Sequence, residues 1–186
     1  MDAQTEREKM LAGQLYRASD PELVAARTRA RRLVGAYNAT DPEAEEERRA
    51  LLTGLFQYIG DDVEVEPPFH CDYGWNIALG AGAYVNVNCV ILDCAAVTIG
   101  ALTLLGPGVR LCTATHPVEP GDRKQGLEYA LPIVVGTNVW IAASVFIGPG
   151  VTIGENSSIG AGSVVLNDVP ANVVMVGNPS RIVRRL

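Results

Sequence analysis

Residues 135–165 read as five successive hexapeptides, VGTNVW, IAASVF, IGPGVT, IGENSS and IGAGSV, followed by Val165. Each hexapeptide begins with Val or Ile, and its second residue is glycine or alanine. An α-helix would repeat its apolar face about every 3.6 residues, and an isolated strand would alternate with a period of about two. A period of six instead indicates a solenoid in which each unit is one short strand and one turn.

Three such units complete one coil of about 18 residues in a triangular prism. This arrangement stacks inward-facing β-branched residues in pairs: Val135 with Ile153, Ile141 with Ile159, and Ile147 with Val165. Small residues permit the sharp corners between strands. The pattern is typical of a left-handed parallel β-helix. A β-sandwich with coincidental spacing is the alternative, and six consecutive aliphatic residues at a spacing of six disfavour it.

The repeat extends towards the N-terminus, with one irregularity and one interruption. Aliphatic residues six apart occur from Leu79 to Ile91 and from Ile99 to Leu111, but Ile91 and Ile99 are eight apart. We therefore expect a bulge or an adjusted coil near Asp93. The repeat then lapses over residues 112–134, which predicts a loop inserted into the rigid solenoid, a place where binding and catalytic residues concentrate.

These boundaries give the expected domain organisation. Residues 1–60 have helical spacing and carry two Asp-Pro-Glu helix starts, at 20–22 and 41–43, so they predict an N-terminal helical cap. Residues 61–175 form the β-helix, and residues 176–186 form a C-terminal tail. The basic run at 27–32 is expected to be a solvated helix face.

Composition narrows the functional class. The net charge of −6 over 186 residues argues against a nucleic-acid partner. No apolar run approaches the ~20 residues that a membrane-spanning helix needs, and the charged N-terminus does not resemble a signal peptide. The four cysteines lack the spacing of a metal site, so we expect no metal and interpret them as free thiols of a cytoplasmic protein.

His116 lies in the inserted loop and is one of only two histidines. A neutral imidazole can accept a proton from a hydroxyl, which makes His116 a candidate general base. A surface histidine without a catalytic role is the alternative. Since no Gly-x-Ser-x-Gly nucleophile motif is present, direct transfer is favoured over a covalent intermediate.

Several other residues are candidates for ligand contacts. Asn86 and Asp93 could orient a sugar hydroxyl, although asparagines also occupy solenoid corners, which is our interpretation of Asn88. The arginines of the tail could bind phosphates or simply be solvated. Trp140 could cover a ligand or fill a contact between subunits.

Further motifs carry a resemblance that covers nearly the whole chain. They are Glu8-Lys9-Met10-Leu11-Ala12-Gly13 with Leu15-Tyr16, Cys71-Asp72-Tyr73-Gly74 with Asn76-Ile77, Thr115-His116-Pro117, Val139-Trp140-Ile141 and Gly177-Asn178-Pro179. With the hexapeptides, they resemble the maltose and galactoside O-acetyltransferases of the hexapeptide acyltransferase family.

The resemblance implies transfer of an acetyl group from acetyl-CoA to a sugar hydroxyl, in a homotrimer whose active site lies between neighbouring prisms. His116 matches the family's catalytic base. The positions matching acceptor contacts are Asp72, Asn86 and Asp93, with Glu128 matching an acid that could orient the histidine. The positions expected to contact the cofactor are Trp140, Ala143, Ala161, Leu166, Asn167, Arg181 and Arg184.

Three departures qualify this expectation. Leu166-Asn167 replaces a common Thr-Lys, which removes a cation near the nucleotide, and Ala142-Ala143 replaces a pair that usually contains glycine. Ala18 replaces an acidic residue of galactoside-acetylating relatives, so the leading hypothesis is a glucose-type acceptor such as maltose or glucose. A non-sugar hydroxyl or amine acceptor, or a non-catalytic scaffold, are the alternatives.

Overall fold

The computed structural model describes residues 4–186. Its helices are α1 Glu6–Leu11, α2 Pro21–Asn38, α3 Glu45–Leu55 and α4 Pro120–Arg123. Its strands are β1 Tyr16–Arg17, β2 Tyr58–Ile59, β3 Glu64–Val65, β4 His70–Cys71, β5 Ile77–Leu79, β6 Tyr84–Val85, β7 Val90–Leu92, β8 Val97–Ile99, β9 Leu104–Leu105, β10 Arg110–Cys112, β11 Ala114–Thr115, β12 Leu127–Ala130, β13 Ile133–Val135, β14 Trp140–Ile141, β15 Phe146–Ile147, β16 Thr152–Ile153, β17 Ser158–Ile159, β18 Val164–Val165, β19 Val173–Gly177 and β20 Ser180–Arg185.

The strands from β2 onward build a three-sided prism, except for β11 and β12, which lie in the inserted loop. Face 1 stacks β2, β5, β8, β13 and β16; face 2 stacks β3, β6, β9, β14, β17 and β19; face 3 stacks β4, β7, β10, β15 and β18. The chain visits the faces in this order and all stacked neighbours are parallel. The mainly β, parallel β-helix architecture predicted from the hexapeptides is confirmed.

The predicted register is also confirmed. Val135 pairs with Ile153, Ile141 with Ile159, and Ile147 with Val165. All six side chains are at most 1% exposed, so they form the continuous aliphatic core of the prism. Branched aliphatic side chains suit this narrow interior because they fill it with few rotamers to lose.

The earlier coils are two residues longer than the later ones. Ile91 pairs with Leu111 and Ile77 with Val97, a spacing of 20 residues. The additional residues lie around the corner by which the chain leaves face 3, because β7 and β8 each have three residues where β15 and β16 have two. We call this the exit corner; the corner leading from face 2 into face 3 is the entry corner. The irregularity expected near Asp93 is therefore present, at the exit corner.

Glycines follow the strands of face 1 because successive coils approach closely there. A Cβ on Gly100 would lie 2.5 Å from the carbonyl carbon of Gly136, and one on Gly154 would lie 2.3 Å from the amide nitrogen of Ala171. Real Cβ atoms do not approach backbone this closely. On face 1, the glycine at the second position of the hexapeptide is thus required by the close stacking of the backbone.

The helical cap closes the N-terminal end of the prism. Leu52 and Leu55 of α3 are buried, and Phe56 meets Phe69 edge-on with ring centroids 5.6 Å apart. Tyr37 of α2 is buried and donates its hydroxyl to the carbonyl of Val65 on the first coil. These contacts fix the cap rigidly against the prism.

A second apolar cluster packs the start of the chain against the exit corner. Its buried members are Met10, Tyr16, Leu23, Tyr73, Cys94, Ala95 and Ala130. This cluster is what brings the N-terminal segment to the inserted loop.

The C-terminal residues are part of the β-helix instead of forming a separate tail. β20 pairs antiparallel with β19, which extends face 2 by one strand. None of the helices within residues 4–186 has the length and apolar character needed to cross a membrane.

Candidate active site

The inserted loop is folded by a small sheet of its own. Between β10 and β13, the chain forms β11, the short helix α4 and β12, and β12 lies between β11 and β1 in an antiparallel three-stranded sheet. Tyr16 is the register partner of Glu128, and Thr115 that of Tyr129. This sheet therefore fixes His116, which follows β11 directly, beside Glu128.

The His116 ring is held by one nitrogen and open at the other. Its Nδ1 lies 3.2 Å from the backbone carbonyl oxygen of Leu127. A carbonyl oxygen can only accept a hydrogen bond, so this contact favours the tautomer with the proton on Nδ1 and the lone pair on Nε2. The side chain is 57% exposed, which leaves Nε2 accessible to a substrate.

Glu128 lies between the imidazole and a buried phenol. Its Oε2 is 3.8 Å from His116 Nε2, while its Oε1 accepts a hydrogen bond from the Tyr16 hydroxyl. The Glu128 side chain is only 16% exposed. A carboxylate in this position can stabilise the positive charge that appears on the imidazole when Nε2 takes up a proton.

Asp72 lies on the exit corner, close enough to Glu128 for the charge of one carboxylate to act on the other. Its Oδ2 accepts a hydrogen bond from the Cys94 thiol at 3.5 Å. Burial raises the pKa of the Asp72 carboxyl, an effect that the Cys94 hydrogen bond and the charge of Arg27 oppose. The structure thus brings together three of the predicted residues, His116, Glu128 and Asp72.

Asp93 does not face the open site. Its side chain is fully buried, and its carboxylate accepts backbone N–H groups from Asp72 at 3.1 Å, Tyr73 at 2.8 Å and Asn76 at 3.3 Å. This burial does not fit the expectation that Asp93 orients a sugar hydroxyl. The carboxylate instead holds the exit-corner segment that carries Asp72, because the backbone donors of that segment have no strand partner there.

Arg27 also differs from its expected role. Its guanidinium, expected on a solvated helix face, is half-buried and donates to the Tyr73 hydroxyl and to the Ala18 carbonyl, both at 2.6 Å. The helix α2 thus supplies a cation beside Asp72 at the edge of the site.

The remaining predicted residues are divided between the two corners of face 3. Asn86, Ala143 and Ala161 lie on the entry corner, at different levels of the stack. Leu166 and Asn167 follow β18, on the same exit corner as Asp72 but at the C-terminal end of the prism. The Asn86 side chain is half-buried and accepts a hydrogen bond from the N–H of Val87. Asn88 has a φ of 62°, which fits its interpretation as a corner residue.

The last three predicted residues lie on face 2. Trp140 points outward from β14 and is 56% exposed, while Arg181 and Arg184 are exposed on β20. Within one chain these residues lie on a different face from the His116 imidazole.

Sequence reasoning missed the roles of Tyr16, Cys94 and Arg27. Tyr16 belongs to a motif noted above, but its contact with Glu128 spans 112 residues of sequence and depends on the loop sheet. All four cysteines are free thiols. Within residues 4–186, no three His, Cys, Asp or Glu side chains are arranged to hold a metal ion.

Two family models match separate parts of the chain. The family model described as the maltose acetyltransferase hexapeptide capping motif matches residues 9–60, and that of the bacterial transferase hexapeptide (six repeats) matches residues 132–167. The first match covers the helical cap and the second covers the coils that follow the inserted loop.

Solved structures extend the likeness to the whole chain. A maltose O-acetyltransferase from Clostridium difficile 630 is 43% identical with a TM-score of 0.97, over 100% of this chain and 99% of that one. A galactoside acetyltransferase in complex with coenzyme A is 42% identical with a TM-score of 0.95, over 98% and 92%.

A third structure contains the acetyl donor itself. It is a hexapeptide-repeat acetyltransferase from Vibrio cholerae O1 biovar eltor complexed with acetyl coenzyme A, 40% identical with a TM-score of 0.91, over 98% of this chain and 99% of that one. The chain described here belongs to the hexapeptide-repeat acetyltransferases that carry the maltose acetyltransferase cap, and it is an acyltransferase that uses acetyl-CoA as its co-substrate.

Proposed function

We propose that this enzyme acetylates a hydroxyl of a glucose-type sugar, with His116 as the general base. The observation that carries the proposal is the His116 geometry: Nδ1 is held by the Leu127 carbonyl, and the exposed Nε2 faces Glu128. The resemblance of the whole chain to a maltose O-acetyltransferase supports the choice of acceptor.

The chemistry follows from that geometry. The Nε2 lone pair of His116 takes the proton of the sugar hydroxyl while the hydroxyl oxygen attacks the thioester carbonyl carbon of acetyl-CoA. The carbon–sulfur bond then breaks, and the leaving thiolate takes the proton back from the imidazolium. The products are the acetylated sugar and coenzyme A, and His116 regains its starting state.

Glu128 serves the step in which the imidazole is charged. A carboxylate oxygen 3.8 Å from Nε2 lowers the energy of the imidazolium without forming a close hydrogen bond that would block the lone pair. Asp72, with the charge of the Arg27 guanidinium nearby, would provide an acceptor and a donor for neighbouring sugar hydroxyls.

The site needs a second copy of the chain to be complete. His116 and Asp72 lie at the exit corner, whereas Asn86, Ala143 and Ala161 lie at the entry corner. A homotrimer in which the exit corner of one prism faces the entry corner of the next would join these residues in each of three equivalent grooves. Acetyl-CoA would lie in the groove, with Trp140, Leu166, Asn167, Arg181 and Arg184 as further contacts.

The test is the substitution His116→Ala, assayed with acetyl-CoA and maltose or glucose by release of free coenzyme A thiol. We expect kcat to fall at least about a hundredfold while the thermal unfolding midpoint is unchanged, because the side chain is exposed and removes only the base. The matched control is His70→Ala, which removes the other histidine, an exposed residue of face 3. An unchanged rate for His116→Ala would rule out the general base.

The acceptor is tested separately by a panel of sugars, other alcohols and amines with wild-type enzyme. Highest kcat/KM for glucose-type sugars is expected; Ala18 at the edge of the site offers no carboxylate to a galactoside. Faster turnover of a non-sugar hydroxyl or an amine would overturn the acceptor assignment and leave the catalytic base intact.

A further inference from the structure

Tyr16 is a buried polar residue that the proposed reaction does not use. It is fully buried in β1, and its register partner across the loop sheet is Glu128 of β12. Facing positions of an antiparallel pair direct their side chains to the same side, so the phenol and the carboxylate meet without distortion of either strand. Tyr16 donates its hydroxyl to Glu128 Oε1.

We propose that Tyr16 is a positioning residue that sets the orientation of Glu128 towards His116. The phenol occupies Oε1 and so directs Oε2 to His116 Nε2. This inference rests on the proposed role of His116. It assigns to the N-terminal segment a part in catalysis beyond capping the prism.

The spacing of the three groups explains why such a restraint is needed. At 3.8 Å, Glu128 Oε2 attracts an imidazolium but does not compete strongly with a substrate hydroxyl for Nε2. A carboxylate released from the phenol could rotate, approach Nε2 and keep the proton on the imidazole. The base would then be less available to the acceptor hydroxyl.

The surroundings of the phenol keep it a hydrogen-bond donor. Burial, followed by the neighbouring Cys94 and Glu128, raises the pKa of Tyr16 far above its usual range. The phenol therefore stays protonated at any pH at which the enzyme works. The proton of the phenol points to the Glu128 carboxylate, which accepts the hydrogen bond.

The test begins with Tyr16→Phe, which keeps the packed ring and removes only the hydroxyl. We expect kcat to fall about tenfold, which is the scale of one hydrogen bond to a charged group, and KM for acetyl-CoA to stay within about twofold. In a plot of kcat/KM against pH, the acid limb should move to higher pH. The Glu128 carboxylate, having lost the Tyr16 hydroxyl as its donor, would stabilise the imidazolium more. Glu128→Gln should move the same limb to lower pH, because it removes the negative charge.

The decisive measurement repeats Tyr16→Phe in the Glu128→Gln background. If the phenol acts through the carboxylate, the second substitution should leave kcat within about twofold and the acid limb in place. Tyr37→Phe is the matched control: it also removes the hydroxyl of a buried tyrosine, but one that bonds Val65 in the cap. It should lower the unfolding midpoint and leave the acid limb unchanged.

Equal losses of kcat in both backgrounds, or an acid limb that Tyr16→Phe does not move, would overturn the positioning role. Either result would assign the loss to packing. This test can fail without the proposed function failing. If His116→Ala retains activity, the general base is refuted. If His116→Ala is inactive but Tyr16→Phe has the same effect with and without Glu128→Gln, only the positioning role of Tyr16 is refuted.

Discussion

Asp93 shows how a single buried carboxylate can hold a turn of the candidate site. Its oxygens accept the N–H groups of Asp72, Tyr73 and Asn76, and Asn76 in turn donates its side-chain amide to the Asp93 carbonyl at 2.7 Å. These bonds hold the exit-corner turn in one conformation, and Asp72 is carried on that turn. The position of Asp93 in the sequence suggested a contact with the acceptor, whereas its burial shows that it stabilises the turn that carries Asp72.

The burial of Asp93 predicts that the stability of the folded protein depends on pH in a way that can be measured. Desolvation raises the pKa of Asp93 from 3.8 to about 6, and the backbone hydrogen bonds oppose this shift. Between these values the folded state binds more protons than the unfolded chain, so the stability contributed by Asp93 falls as pH rises from about 4 to about 6 and is then constant.

Asp93→Asn removes this titration and provides the reference. The unfolding free energy of the wild type minus that of the variant should therefore decrease across the same pH interval, by up to roughly 3 kcal/mol. Urea denaturation of both proteins from pH 4 to 7.5 measures the difference, and titrating groups that do not interact with Asp93 cancel in the subtraction. A difference that stays flat, or that grows with pH, would contradict the raised pKa.

At the scale of elements, the six-residue period predicted most of the prism. In a solenoid, residues at equivalent positions of the repeat stack on one another, so the spacing along the sequence also gives the pairing between coils. Val135 pairs with Ile153 for the same reason that both begin a hexapeptide. The loop sheet obeys no such rule: β1 and β12 are joined by contacts between residues over a hundred positions apart. The period therefore located the inserted loop and His116, while the Tyr16–Glu128 contact could be seen only in the folded chain.

A second prediction concerns the glycines that follow the strands of face 1, where successive coils stack closely. Gly100→Ala should destabilise the protein by several kcal/mol, on the order of 3, because its Cβ would lie 2.5 Å from the carbonyl carbon and 2.6 Å from the carbonyl oxygen of Gly136. Gly100 and Gly136 both belong to stacked coils, so the backbone at either residue cannot shift without moving the neighbouring coils.

The matched control is Gly35→Ala, which adds the same methyl group in helix α2 with no atom within 4 Å of the new Cβ. Alanine favours a helix over glycine by about 1 kcal/mol, so this variant should be unchanged or slightly more stable. Urea unfolding midpoints measure both. A Gly100→Ala protein as stable as the wild type would show that the coils are not stacked this closely.

For the whole molecule, the two corners of face 3 divide the proposed catalytic groups into complementary halves. The exit corner carries His116 and Asp72, and the entry corner carries Asn86 and Ala161. A head-to-tail contact between identical subunits pairs unlike surfaces, and a threefold ring closes such contacts without leaving one unpaired. In the proposed homotrimer, each groove would take one half from each of two neighbours.

This division predicts complementation between two inactive variants. His116→Ala removes the base at the exit corner, and Ala161→Trp, at an exposed position, fills the groove from the entry corner. In a ring that contains both kinds of subunit, one groove receives the intact exit corner of one variant and the intact entry corner of the other. Three quarters of randomly assembled trimers are mixed, and each has one working groove of three, so an equimolar mixture should recover about a quarter of wild-type activity.

The experiment unfolds the two variants together, refolds them and measures acetyl-CoA turnover, with each variant refolded alone as the control. Sedimentation velocity on the same samples determines whether trimers form and whether Ala161→Trp has disturbed assembly. If every site lay within a single chain, no mixed ring could contain a working site, because each chain would carry one of the two defects. Trimers that form and remain inactive on mixing would therefore place the whole site in one subunit, whereas recovery near a quarter requires His116 and the entry corner to meet across the contact between two copies.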